Sequence, residues 1–123
     1  MEDYIGLPWS AAGRDRDGLD CYGLFVLLHR ERHGRDLWDP RGYIREMVRH
    51  QLPQKLTSLH MRQVERAEEG DAVLFFVQGR PLHVGYALDA QHMLHIEPDV
   101  SAVVERFDSI RWRSRLEGIW RCV

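Results

Sequence analysis

The sequence predicts an α+β fold, because helical and strand patterns fall in two separate parts of the chain. An apolar run with helical spacing, Leu24-Phe25-Val26-Leu27-Leu28, follows Asp20 closely. After Gly70 the pattern changes to short apolar runs separated by turn-forming residues. Helices that come first, followed by a meandering antiparallel sheet, are typical of the α+β class.

Length and composition indicate one domain, residues 1–123, with a single core. The formal net charge is −2, so the overall charge provides no general attraction to nucleic acid. No apolar run approaches the roughly 20 residues of a membrane span. The acidic N-terminus lacks the basic and apolar segments of a secretory signal. Two cysteines are too few for a disulfide scaffold, and we expect Cys21 and Cys122 to remain separate thiols.

Turn and cap residues give the expected boundaries of the helical half. Asp20 is a favoured N-cap and Gly34 a favoured stop, which predicts a helix over residues 21–33. Residues 4–19 are rich in turn formers and predict a loop. A short second helix is predicted over residues 43–51, and residues 54–69 are ambiguous.

The second half predicts five strands, bounded by Gly, Pro and Asp. Gly85 within the second strand indicates close approach of another chain segment. The predicted strands cover residues 72–77, 82–88, 92–97, 100–107 and 116–122.

Cys21 lies in the first turn of the predicted helix. Unpaired backbone N–H groups and the positive end of the helix dipole favour a thiolate there, and the thiolate is the nucleophilic form. Gly23 is costly in a helix interior, which makes sense if a backbone or a substrate must approach closely. Considered alone, Asp-Cys-x-Gly is more often a small buried cysteine in a core helix.

Two histidines have the right strand parity to assist a cysteine. His83 shares a strand face with Gly85 and Ala87, and His95 on the next strand can lie beside His83. This predicts a Cys21–His83–His95 chain, in which the second histidine fixes the orientation of the first. Each histidine alone is more often a core or edge residue. A catalytic zinc held by the same three residues is a second alternative, although no further ligand pattern supports it.

Separated blocks of the sequence form a recognisable series: GLPW (residues 6–9), GLDCYGL (18–24), EGDAVLF (69–75), PLHVGYAL (81–88) and His95. These blocks resemble the NlpC/P60 cysteine peptidases, and most closely the versions found in bacteriophage tail-tip proteins. The likeness runs from about residue 4 to residue 121, with the blocks in the family's order and spacing.

The resemblance implies a papain-like fold, with the cysteine helix packed on a small antiparallel sheet. It implies hydrolysis of peptidoglycan stem peptides, typically between γ-D-glutamate and a diamino acid. It carries Cys21 over as nucleophile, His83 as base and His95 as orienting residue, with neither cofactor nor metal.

Three residues near the cysteine are expected to form the oxyanion and substrate pocket: Trp9, Asp20 and Tyr22. Trp9 stands where many family members have a tyrosine, and its indole N–H can donate a hydrogen bond with a different reach. The backbone N–H of Cys21 is the other candidate oxyanion donor. Ser10-Ala11-Ala12 departs from the family's glycine-rich stretch.

Three functions from different classes follow from this reasoning. The first is a cell-wall endopeptidase of a phage or phage-like tail tip, made in the host cytoplasm and acting in the cell wall or periplasm. Its partners would be the stem peptide and tail-tip or hub proteins. The second is a structural tail component with a silent or blocked site. The third is a thiol amidase or acyltransferase of the same fold.

Overall fold

The computed structural model describes residues 1–37, 61–77 and 79–122. The short helix predicted over residues 43–51 lies outside the described residues. Across the described ranges, no helix is long and apolar enough to span a membrane.

Helix α1 has the predicted bounds, Cys21–His33. The Asp20 carboxylate accepts a hydrogen bond from the backbone N–H of Gly23 at 2.7 Å, which caps the first turn. Gly34 ends the helix in the left-handed conformation, at φ 64°. Cap and stop residues therefore fix both ends of the element that begins with the cysteine.

The strands broadly follow the predicted pattern. The first and last predicted strands have the expected bounds, and the three between them are shorter or shifted. The predicted loop contains a two-stranded hairpin, and a strand forms within the ambiguous stretch. The strands are β1 Arg14–Asp15, β2 Gly18–Leu19, β3 Met61–Val64, β4 Ala72–Val77, β5 Arg80–Ala87, β6 His92–His95, β7 Val103–Arg106 and β8 Leu116–Cys122, with a helical turn α2 at Ile110–Arg113 before β8.

The main sheet has six strands in the order β3-β8-β4-β5-β6-β7, and every adjacent pair is antiparallel. The predicted meander therefore holds from β4 to β7, whereas β8 returns to the far side of β4. This return gives β4 a hydrogen-bonding partner on each edge, and β5 and β6 are likewise interior strands. Those two strands carry His83 and His95.

Each face of the sheet has its own buried cluster. Helix α1 packs on the face that carries Val84, Tyr86 and Leu94. The other face buries an aromatic cluster that includes Phe75 and Trp112.

Two glycines provide the close approaches that the sequence indicates. A Cβ on Gly23 would overlap the backbone carbonyl oxygen of Gly13, in the loop that leads to the cysteine. A Cβ on Gly85 would meet the Sδ of Met93 on β6 at 2.6 Å. The first neighbour is rigid backbone, whereas the second is the end of a flexible side chain.

Replacing Gly23 by alanine is expected to destabilise the protein by about 1–3 kcal/mol, the usual cost of overpacking. This cost should outweigh the gain of up to about 1 kcal/mol in helix propensity. Gly85→Ala is the matched control and should cost less, because the Met93 side chain can move. Urea unfolding measures both values, and an equal or smaller loss for Gly23→Ala would contradict the Gly13 contact.

Candidate active site

Cys21 is the first residue of α1 and is partly buried. Helix α1 contacts both β5 and β6. The first backbone N–H groups of a helix have no partner within it and carry the positive end of its dipole. A sulfur at this position can therefore react while its anion is stabilised.

The segment before the cysteine folds back beside it and places Trp9 nearby. The N–H of Leu19 donates to the carbonyl of Pro8 at 2.9 Å, and the N–H of Ser10 donates to the carbonyl of Leu19 at 3.0 Å. Trp9 therefore pairs with Leu19, two residues before Cys21 in the chain. Its side chain is partly buried, and its part in the oxyanion pocket stays a prediction.

The other two predicted pocket residues have clear structural partners. Asp20 is 3% exposed and forms an ion pair with Arg14 at 2.7 Å, besides capping α1. Tyr22 is also 3% exposed and stacks on Phe25, with ring centroids 6.3 Å apart. Contact of either residue with a substrate stays a prediction.

The two histidines lie side by side, as strand parity predicts. Nε2 of His83 and Nδ1 of His95 are 2.8 Å apart, at hydrogen-bonding distance. Both residues are buried, 6% exposed for His83 and 1% for His95. The orientation of the His83 ring is therefore fixed through the nitrogen that faces His95, which leaves Nδ1 for proton transfer elsewhere.

A β-bulge immediately precedes His83. Phe75 pairs with His83 and Phe76 pairs with Pro81, so Leu82 is the extra residue in the backbone of β5. Bulges increase the local twist and re-aim the side chains that follow them, and they are common beside active sites. The bulge therefore contributes to the direction in which the His83 side chain leaves β5.

Aromatic rings enclose the histidine pair. Trp112 stacks on His83 with an interplanar angle of 19° and centroids 5.3 Å apart, and it meets the His95 ring edge-on at 89°. Phe75 lies against both His83 and Trp112.

Burial, together with the charges of His95, Arg111 and Arg115, lowers the pKa of His83 to about 3. The isolated base is therefore neutral at physiological pH.

The groups that hold His95 were not predicted from the sequence. Nε2 of His95 lies 2.8 Å from a carboxylate oxygen of Glu105 on β7. Arg111 and Trp112 in turn donate to Glu105. Glu105 pairs with Met93 across β6 and β7, so alternation puts it on the face of His95. Alternation within β7 could indicate the face on which Glu105 lies. Its contact with His95, however, follows only from the register between β6 and β7.

The zinc alternative conflicts with these hydrogen bonds, because both ring nitrogens of His95 are engaged by protein groups. Within residues 1–37, 61–77 and 79–122, one group of metal-ligand side chains converges: His95, Glu97 and Glu105. Arg111 donates to both of its carboxylates. A guanidinium between the two acids offsets part of the negative charge that would attract a cation.

Cys21 and Cys122, both within the described residues, form no disulfide. Cys122 ends β8, and burial raises the pKa of its thiol. A protonated, partly buried thiol is a poor nucleophile.

Buried neutral histidines make stability depend on pH. Burial lowers the pKa of His29 to about 4 and that of His83 to about 3, and it lowers the pKa of His95 as well. In the unfolded chain these groups take up protons near pH 6.5. Between about pH 6.5 and 4 the unfolded chain therefore binds more protons, so the free energy of unfolding should fall as the pH falls.

Urea unfolding between pH 7.5 and pH 4.5 measures this slope. The carbonyl of Gly70 accepts a hydrogen bond from His29 at 2.8 Å, and glutamine can replace that donor. His29→Gln should therefore fold and lower the slope by about one proton, or about 1.4 kcal/mol per pH unit. A slope that is the same in both proteins would exclude His29 as a buried neutral group.

Comparison with known proteins identifies the family and the fold. The sequence profile of the NlpC/P60 family matches residues 6–121, so the chain belongs to the NlpC/P60 family. Its structure has the papain-like fold of that family, with the cysteine helix packed on an antiparallel sheet. A comparison with curated protein sequences gave no match.

Several solved structures share the fold. The NlpC/p60 domain of the peptidoglycan hydrolase SagA is 24% identical with a TM-score of 0.68, over 99% of this chain and 92% of that one. An NlpC/P60 family protein from Bacillus cereus is 21% identical with a TM-score of 0.74, over 98% of this chain and 37% of that one. A protein from Staphylococcus aureus, described as similar to a lipoprotein of the NLP/P60 family, is 21% identical with a TM-score of 0.69. The match covers 98% of this chain and 38% of that one. This chain thus spans nearly all of the SagA domain and well under half of the other two chains.

Proposed function

We propose that this chain is a cysteine endopeptidase that hydrolyses peptidoglycan stem peptides between γ-D-glutamate and the diamino acid. The observation that carries the proposal is the hydrogen bond between His83 and His95, in a family member with Cys21 at a helix N-terminus. Membership of the NlpC/P60 family and the likeness to SagA support cell-wall hydrolysis as the class of reaction.

In the proposed acylation step, Nδ1 of His83 takes the proton from the Cys21 thiol. The thiolate attacks the carbonyl carbon of the scissile amide and forms a tetrahedral intermediate. The resulting imidazolium then gives its proton to the leaving amine, and a thioester remains on Cys21. His95 holds the base in the required tautomer throughout.

Water completes the proposed cycle. His83, neutral again, removes a proton from a water molecule, which attacks the thioester carbonyl. Collapse of the second tetrahedral intermediate releases the carboxylic acid, and the proton returns to the sulfur of Cys21. The low intrinsic basicity that burial imposes on His83 is offset when its imidazolium forms beside the thiolate.

Each tetrahedral intermediate carries a negative oxygen, and the backbone N–H of Cys21 is the proposed donor to it. The partial positive charge at the start of α1 acts in the same direction. The Trp9 indole is the proposed second donor, because its segment lies beside Leu19 and the start of the helix. Asp20 and Tyr22 border the same turn.

We further propose a phage or phage-like tail tip as the place of action, reached from synthesis in the host cytoplasm. Support comes from the sequence likeness to tail-tip versions of the family. Tail-tip or hub proteins would then position the domain against the wall. A structural tail component with a blocked site and a thiol amidase or acyltransferase are the competing functions.

The proposed function is tested by digesting defined muropeptides with the purified protein and identifying the products by mass spectrometry. Products split after γ-D-glutamate would support the endopeptidase. Loss of the whole peptide from the glycan would instead indicate an amidase, and the absence of any product would favour a structural role. A parallel digestion with EDTA should proceed unchanged, because the proposed site uses no metal.

A further inference from the structure

Beyond the two histidines, the hydrogen-bonded chain continues into a carboxylate. Nε2 of His95 lies 2.8 Å from Oε1 of Glu105, and Nδ1 of His95 lies 2.8 Å from Nε2 of His83. The three side chains come from three neighbouring strands, β5, β6 and β7. Their order is therefore fixed by the hydrogen bonding of the sheet.

Glu105 is held from two further sides. Arg111 donates to both of its carboxylate oxygens, at 3.1 and 3.3 Å, and the indole N–H of Trp112 donates to Oε2 at 3.2 Å. Arg111 also contacts Glu97 through two hydrogen bonds, at 2.8 and 2.9 Å. Both oxygens of Glu105 therefore accept from fixed donors.

The ionisation of Glu105 decides where the protons of the chain lie. Burial raises the pKa of this carboxyl, but hydrogen bonds from His95 and Trp112 and the charge of Arg111 outweigh that effect and hold it below its usual value. An ionised carboxylate can only accept hydrogen bonds. His95 must then carry its proton on Nε2, and its Nδ1 is an acceptor.

The tautomer of His95 in turn determines the tautomer of His83. Because Nδ1 of His95 accepts, Nε2 of His83 must donate and carries the proton of the neutral ring. Nδ1 of His83 is then the nitrogen with a lone pair. A general base needs that lone pair on the side of the nucleophile.

We propose that Glu105 is a positioning residue that fixes the tautomers of His95 and His83 in series, so that Nδ1 of His83 is a base at the start of each turnover. This inference rests on the proposed function for its role in hydrolysis, although the tautomers themselves can be measured without a substrate. Trp112 supports the arrangement by donating to Glu105 and by stacking on the ring of His83.

If Glu105 served only to form an ion pair with Arg111, neutralising it would change the stability and not the tautomers of the histidines. The side chain of Glu105 is 29% exposed and that of Arg111 is 48% exposed, and pairs at such sites add little to stability. Loss of the Arg111 pair in Glu105→Gln should therefore cost little stability, and the melting temperature should fall only by what the weakened hydrogen bond from buried His95 contributes. A large effect on the histidines without a large effect on folding is the signature of positioning.

Glu105→Gln is the appropriate variant, because it keeps the shape and removes the charge. Its amide NH2 must face at least one group that now donates to the carboxylate, namely His95, Arg111 or Trp112. Asp108→Asn is the matched control, since Asp108 is an acid near the end of the same strand that pairs with Arg106 instead. Glu105→Asp, which retains the charge with a shorter reach, serves as a second variant.

The first readout is ¹⁵N NMR of histidine-labelled protein at neutral pH. We expect His83 and His95 to be Nε2–H tautomers in the wild type and in Asp108→Asn. In Glu105→Gln the tautomer signals of both rings should shift, and Glu105→Asp should lie between the two. Unchanged tautomers at His83 in folded Glu105→Gln would overturn the proposal.

The second readout is muropeptide hydrolysis by the same proteins. Glu105→Gln should lower kcat by about 10- to 100-fold with KM nearly unchanged, a smaller loss than misplacing a triad tautomer outright. Equal loss in Asp108→Asn, or a loss confined to KM, would count against positioning. If the wild type cleaves no muropeptide, the proposed function fails while the NMR result still decides the role of Glu105.

Discussion

Replacing Cys21 by alanine should abolish hydrolysis of muropeptides while the fold persists. Removal of the nucleophile from a catalytic unit of this kind costs on the order of 10⁶-fold in kcat, which would bring the rate to background. Alanine is an excellent helix former and Cys21 is partly buried, so the stability should change little. Product analysis by mass spectrometry and thermal unfolding of the same sample measure the two effects.

Cys122→Ala provides the matched control for this prediction. Cys122 lies at the end of β8, and burial raises the pKa of its thiol. Its removal should leave the products and their rate unchanged. Hydrolysis that survives in Cys21→Ala, or that disappears in Cys122→Ala, would contradict the assignment of Cys21 as the nucleophile.

Replacing His83 should have the second largest effect, a loss of about 10²- to 10⁴-fold in kcat, which is typical of a general base. His83→Ala removes the ring but leaves a space beside Trp112 and Phe75. His83→Gln fills most of that space and should lose a similar factor. Single-turnover assays with both variants separate the chemistry from any change in packing.

His95→Gln should cost less than either change at His83, because an amide can still accept a hydrogen bond from the His83 ring. This ranking follows from the different tasks of the two residues, since orientation is more replaceable than proton transfer. The reverse order of single-turnover rates would mean that the two histidines have exchanged roles.

The sequence predicted those parts of the fold that local rules determine. Asp20 and Gly34 fix the ends of α1, and the buried runs at residues 72–77 and 116–122 are strands with the expected bounds. The position of β8 beside β4 was missed, because alternation within a strand does not reveal its partner. The hairpin before Cys21 was also missed, since two-residue strands carry no period.

Part of the candidate site could be found in the same way. Strand parity brought His83 and His95 together, and Gly23 indicated the close approach that the backbone of Gly13 makes. Glu105 was not recognised, because its contact with His95 depends on the register between β6 and β7. Trp112 lies outside the predicted strands, and its contact with both rings depends on tertiary packing.

The pairing of Cys21 with His83 can be measured without a substrate, through the rate at which iodoacetamide alkylates Cys21. The Cys122→Ser protein is the background, so that a single thiol reports the reaction. An ordinary thiol has a pKa of about 8.5 and loses its reactivity below that pH. If Nδ1 of neutral His83 takes the thiol proton as Cys21 reacts, alkylation should persist below about pH 7 and should lose this low-pH reactivity in His83→Gln. A profile centred near pH 8.5 that His83→Gln leaves unchanged would contradict the pairing, and with it the proposed endopeptidase.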